Sequence, residues 1–93
     1  MDSIKELSIN DFINIKIKEL TNVLKEFGYE ITKEELEQAR EKQAEVYNGL
    51  IQNGLDIGTL VEQIIKGKVV YYNDSIMFQD NKSKKLYYID NVL

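Results

Sequence analysis

Val69-Val70-Tyr71-Tyr72-Asn73-Asp74-Ser75-Ile76-Met77-Phe78 is the stretch on which the reading of this chain turns. Upstream of it, apolar residues recur at helical spacing; within it they fall in short β-branched and aromatic runs broken by turn formers. Two strands flank Asn73-Asp74-Ser75, and a third, Leu86-Tyr87-Tyr88-Ile89, follows the turn-rich Asp80-Asn81-Lys82-Ser83. A three-residue first loop pairs Tyr72 with Ile76 and Val70 with Phe78, and a five-residue second loop pairs Phe78 with Leu86 and Ile76 with Tyr88. In that register Val70, Tyr72, Ile76, Phe78, Leu86 and Tyr88 make the core face. Val69, Tyr71, Met77, Gln79, Lys85, Tyr87 and Ile89 make the other. A slip of one residue in the second loop exchanges the faces of the last strand.

Working back toward the N-terminus, Ile57, Leu60, Val61, Ile64 and Ile65 stand at helical spacing between Asp56, a good N-cap, and Gly67, a stop, and predict a short helix over 57–66. Before it, Thr32-Lys33-Glu34-Glu35 matches a capping box and opens a helix running to about Asn53, with Leu36, Ala39, Gln43, Val46 and Leu50 inward. Between Glu34 and Glu45 only Leu36, Ala39 and Ala44 are apolar, so its buried stripe is narrow. The first helix is predicted over 11–27: Ser8 caps it, Ile13, Ile17, Leu20, Leu24 and Phe27 form its stripe, and Gly28 suits a left-handed C-cap. Ser3-Ile4-Lys5-Glu6 fits a further capping box and predicts a leading turn. The short link between the long helices folds them into an antiparallel hairpin. The expected fold is α+β, with three N-terminal helices, namely an antiparallel helical hairpin plus a short third helix, followed by a three-stranded antiparallel β-meander. All of it is expected in a single domain over residues 1–93.

Composition narrows the chemistry. Hydrophobic residues make up 43% and charged residues 30%, as in ordinary globular domains. With neither cysteine nor histidine, thiolate catalysis, zinc fingers and imidazole acid–base chemistry are closed to this chain. The four serines, Ser3, Ser8, Ser75 and Ser83, read as caps or turns, Asp74 and Asp80 as turn residues, and no glycine-rich phosphate loop or calcium loop is present. No cofactor or metal is therefore expected. The formal charge of −4 is concentrated in the middle third, and a nucleic-acid partner, which needs clustered Lys and Arg, is not expected. Neither a signal peptide nor a membrane span is apparent, which points to the cytoplasm. Eleven lysines against one arginine is a usage typical of AT-rich bacterial and phage genomes, a compositional hint without physical warrant.

Two surfaces are candidates for a partner. Tyr71, Met77 and Tyr87, rimmed by Gln79 and Lys85, would form a tyrosine–methionine patch with the composition of an interface core. Glu34, Glu37, Glu41 and Glu45 would present carboxylates along one side of the second helix. The expected function is a non-enzymatic protein–protein interaction module, a small regulator or inhibitor of phage or mobile-element type, able to form a homodimer. The alternative is a winged-helix-like DNA-binding regulator, since three helices before a hairpin is also that order, with the third helix reading the duplex.

Overall fold

The computed structural model describes residues 3–58 and 60–89. The elements in chain order are β1 (Lys5–Glu6), α1 (Ile9–Glu26), α2 (Lys33–Asn53), β2 (Leu55–Asp56), β3 (Ile64–Ile65), β4 (Gly67–Tyr72), β5 (Ser75–Asp80) and β6 (Leu86–Tyr88). The long helices start where the caps place them. Ser8 Oγ accepts the Asp11 amide at 3.1 Å, and Thr32 and Glu35 form the reciprocal capping box. Gly28, at φ 75°, turns the chain out of α1, and the Tyr29 amide bonds back to the Leu24 carbonyl at 2.9 Å. The contacts Phe12–Tyr47 and Asn14–Arg40 run in opposite chain directions, so α1 and α2 are antiparallel.

The rest of the expected architecture is corrected in three places. First, no third helix lies among the described residues of 57–66; β2 and β3 pair there as an antiparallel ribbon, Leu55 with Ile65 and Asp56 with Ile64. Asp56 does not cap a helix. Its carboxylate accepts the Gly58 and Gln63 amides at 2.9 and 3.2 Å, and the Ile57 amide reaches the Gln63 carbonyl at 2.8 Å, so the intervening chain closes as a loop. A Cβ at Gly58 would collide with the Val61 carbonyl, which shows how tightly the loop closes. Four of the five residues whose helical spacing suggested the helix, Ile57, Val61, Ile64 and Ile65, are β-branched, and that preference opposes a helix. Second, the sheet has four strands in the order β1-β4-β5-β6, because Lys5-Glu6 pairs with Tyr71 and Val70 instead of forming a leading turn.

Third, both expected loops are one residue too long. Asn73 and Asp74, at φ 53° and 60°, make a two-residue turn that pairs Tyr72 with Ser75 and Val69 with Phe78. At the second turn Lys84, at φ 66°, donates its amide to the Asp80 carbonyl, the Asp80 amide reaches the Lys85 carbonyl, and Phe78 pairs with Tyr87. Each shortening turns an outer strand over relative to β5. Ile76 and Phe78 stay in the core as expected, while Val70, Tyr72, Leu86 and Tyr88 move to the opposite face. The core gathers Leu7, Phe12, Leu50, Leu55, Val69, Ile76, Phe78 and Ile89, with Ile15, Tyr47, Ile57, Ile65, Tyr71 and Tyr87 packed against it.

Tyr47 joins the layers. Its ring packs tilted on Phe12 at 5.5 Å, and its hydroxyl donates to the Leu7 carbonyl at 2.7 Å, tying α2 to the chain between β1 and α1. Burial, with smaller effects from the Glu6 and Asp11 carboxylates, pushes the Tyr47 hydroxyl pKa up and keeps it a donor. Tyr47→Phe is expected to lose about 1–2 kcal/mol in denaturant unfolding, because a partly buried carbonyl is left without its partner. At the first β-turn, Asp74→Gly should hold or gain up to about 1 kcal/mol, whereas Asp74→Val should lose about 1–2 kcal/mol, since a β-branched residue resists the left-handed region.

Candidate functional site

The tyrosine–methionine patch does not assemble. Tyr71 stands opposite Ile76 and Tyr87 opposite Phe78, both half-buried on the core face. Met77 points to the other face between Val70 and Tyr88. Gln79 is buried, and its side-chain amide donates to the Lys84 carbonyl at 3.2 Å, so it braces the second turn and rims no patch. Lys85 is exposed at that turn. Tyr71 instead lines two adjoining grooves with Lys5, one of 340 Å³ reaching Ser3, Asn73 and Asp74 and one of 330 Å³ reaching Asp11 and Asn14. Asp74 and Asp80 lie near opposite ends of β5, about 20 Å apart by strand rise, too far to share a proton.

Glu34, Glu37, Glu41 and Glu45 are all exposed, and at about 100° per residue they share one side of α2. None of the four makes an ion pair among the described residues; the Lys68–Glu6 pair at 3.6 Å lies elsewhere, on the outer sheet face.

The closed end of the helical hairpin carries an exposed surface that includes Leu20 and Phe27, two residues of the stripe expected to face inward. Phe12, Ile13, Ile17 and Leu50 are buried at the open end, but no residue from Lys18 to Gly49 is. On α1 and at its C-cap, Leu20, Val23 and Phe27 are 37%, 51% and 82% exposed, and Leu20 and Val23 lie about 60° apart around the helix. The exposure does not come from a frayed end. Tyr29 donates to the Glu35 carboxylate at 2.7 Å, and Glu35 also accepts from the Thr32 amide and hydroxyl, so the link between the helices is cross-braced. The signal for this surface was in the sequence: α2 opposite has too few apolar residues to cover the whole stripe of α1.

A second apolar surface lies beyond the other end of α2. In the loop between β2 and β3, Leu60 and Val61 are 97% and 78% exposed, and Ile64 is half exposed beside them. β3 and the following Lys66 adjoin the second β-turn: the Asn81 amide bonds to the Lys66 carbonyl at 3.0 Å, and a recess of 310 Å³ is lined by Ile64, Ile65, Lys66, Asp80, Asn81 and Lys82. Asp80 holds that turn by accepting the Lys82 amide and the Ser83 hydroxyl, which leaves the side chains of Lys82, Lys84 and Lys85 exposed.

No group of three or more acidic, histidine or cysteine side chains suited to hold a metal ion occurs among the described residues. None of the described helices is long and apolar enough to cross a membrane. Comparison with protein-family models, with curated proteins and with solved structures returns no match to this chain.

Two carboxylates are tuned by these turns. Glu35 is held below the usual carboxylate range by the Tyr29 hydroxyl and then by Thr32, and Asp80 by the Lys82 amide and then the Ser83 hydroxyl. Both ionise more readily folded than unfolded, so the stability they contribute is present above the ordinary carboxylate range and is lost as pH falls through their lowered pKa values. Tyr29, raised by its bond to Glu35, contributes stability below the ordinary phenol range that is lost as pH rises through its raised pKa. Thermal melts from neutral to acid pH are expected to show a falling midpoint whose slope is shallower in Glu35→Gln and in Asp80→Asn, and Tyr29→Phe is expected to flatten the alkaline limb.

Proposed function

We propose that this chain is a non-enzymatic protein-interaction module, a small cytoplasmic regulator or inhibitor, that docks a basic amphipathic segment of its partner on the closed end of the helical hairpin. The observation that carries this reading is the exposed Leu20, Val23 and Phe27 stripe on a braced end of α1. Single exposed apolar residues are ordinary on a protein surface, but three large ones on one side of a helix leave apolar area that a partner's burial would stabilise. Charge selects the kind of partner. Residues 18 to 41 hold seven acidic side chains against four basic ones, and the Glu34, Glu37, Glu41 and Glu45 row lies on the same hairpin. Such an end attracts a cationic segment and repels an acidic one. An amphipathic helix laid with its apolar side on an apolar surface is a common mode of recognition. The duplex-binding alternative required a third helix as reader, and the ribbon β2–β3 occupies that stretch.

The test is a fluorescence-anisotropy titration with a synthetic leucine–lysine amphipathic helix and its leucine–glutamate counterpart. Wild type is expected to bind the basic peptide only. Leu20→Ser, Phe27→Ser and the pair Glu37→Lys with Glu41→Lys should each weaken binding at least about tenfold while moving stability by no more than about 0.5 kcal/mol for the exposed sites. Equal binding by all variants, or no binding by wild type, would overturn the reading.

A further inference from the structure

β1 stands at the edge of the sheet, and part of its backbone faces away from its neighbour. Along an edge strand of an antiparallel ladder, successive residues direct amide and carbonyl alternately toward the paired strand and away from it. The Leu7 amide bonds to the Val69 carbonyl at 2.9 Å, so Leu7 and, two residues back, Lys5 bond toward β4, and the backbone groups of Ile4 and Glu6 point outward. Among the described residues nothing bonds to that outer edge, and residues 3 to 6 are exposed. Side chains alternate in the same way. Ser3, Lys5 and Leu7 lie on the helix side of the sheet, where the 340 Å³ groove runs from Lys5 toward Ser3 and Asp74 and the 330 Å³ groove runs from Lys5 toward Leu7 and Asp11. Tyr71, paired with Lys5, walls both. Charge along this track is therefore acidic at Asp74, basic at Lys5 and acidic again at Asp11, and none of the three is ion-paired to a described residue.

We infer that β1 receives an extended segment of a partner protein as an added antiparallel strand, with basic side chains at the first and fifth positions of the segment and an acidic one at the third. Strand addition takes its affinity from main-chain bonds and its specificity from pockets for alternate side chains, and this edge offers both. The second and fourth residues of the segment lie opposite Ile4 and Glu6 and exchange amide and carbonyl bonds with them. The first, third and fifth lie opposite Ser3, Lys5 and Leu7 and share their face, about 7 Å apart, so the outer two reach Asp74 and Asp11 and the middle one meets Lys5. A uniformly basic segment would set one of its charges against Lys5, and a uniformly acidic one would set two against the carboxylates. This surface is separate from the hairpin end: it adjoins Ser8, with the length of α1, about 25 Å, between it and Phe27. So short an edge binds weakly, and salt is expected to weaken it further.

The probe is an end-capped, fluorescently labelled peptide of sequence lysine–threonine–glutamate–threonine–lysine, titrated with the full chain at low salt and followed by anisotropy. Wild type is expected to bind it and not the charge-reversed glutamate–threonine–lysine–threonine–glutamate. N-methylation of both threonines should weaken binding at least about tenfold, because their amides face β1, whereas N-methylation of the glutamate, whose amide faces away, should change it less than about twofold. Asp11→Asn and Asp74→Asn should each weaken binding about two- to fivefold. Lys5→Glu should weaken it as well and shift preference to the peptide with lysine at all three charged positions. Ile4→Pro removes one outward amide while leaving the bonds to β4 in place, and should weaken binding at least about fivefold. Leu20→Ser and Phe27→Ser should leave it unchanged, which separates this edge from the hairpin end. No binding by wild type, equal binding of the reversed peptide, or indifference to N-methylation of the threonines would each overturn strand addition at β1.

Discussion

Asn73 and Asp74, both in the left-handed region, close the β4–β5 hairpin in two residues, and the period of two in a pleated strand converts that length into an assignment of faces. Every packing statement in the sheet follows from it. Val69 and Tyr71 align with Phe78 and Ile76 on the side that receives Leu7, Phe12 and Leu50, and β1 adds to β4 in the register that brings Leu7 beside Val69. A longer turn would instead direct Val70 and Tyr72 at the helices and expose Val69 and Tyr71. The turn residues are suited to the task because short polar side chains tolerate positive φ better than most. The second turn repeats the device with an Asp80 cage and a left-handed Lys84, so both outer strands are set relative to β5 by local chemistry.

With the core face settled, the sheet has room for only one end of the hairpin. Phe12, Ile13, Ile17, Tyr47 and Leu50 engage the core or the opposite helix near the open end, and Tyr47 locks that end to the Leu7 carbonyl. The remaining turns of both helices lie outside it. There α1 and α2 depend on each other, with Arg40 bonded to Asn14 and Leu24, Leu36 and Ala39 half-buried. Helices so placed gain from strong ends, and the Tyr29–Glu35–Thr32 bracing supplies one.

Much of the local structure was legible in the sequence, and the parts that were not share a cause. Caps act within a few residues, so Ser8, Thr32 and Gly28 declared the two long helices and their turn. The existence of β4, β5 and β6 was equally local. Register was not, because loops of two or three residues read alike from Asn73-Asp74-Ser75 while yielding opposite faces; that is why Met77 was grouped with Tyr71 and Tyr87 and then found on the opposite face from both. Asp56 can cap a helix or cage a loop, and the choice depends on Gly58 and on pairing with Ile64 and Ile65. Lys5-Glu6 becomes a strand only because β4 offers an edge, which no two-residue window reveals. The acidic row on α2 needed nothing but helical periodicity, and its four glutamates are exposed.

Exposed apolar residues divide here into those that the fold explains and those that it does not. Ile51 and Val46 lie singly on α2 near the buried end, where the edge of a packed stripe is always partly wet. Phe27 and Leu60 differ, because each stands almost fully in water on a segment whose shape is held by polar contacts: the braced link in one case, the Asp56 cage in the other. Neither side chain contributes much to folding, so a polar residue would serve the monomer as well and hold less apolar area in water.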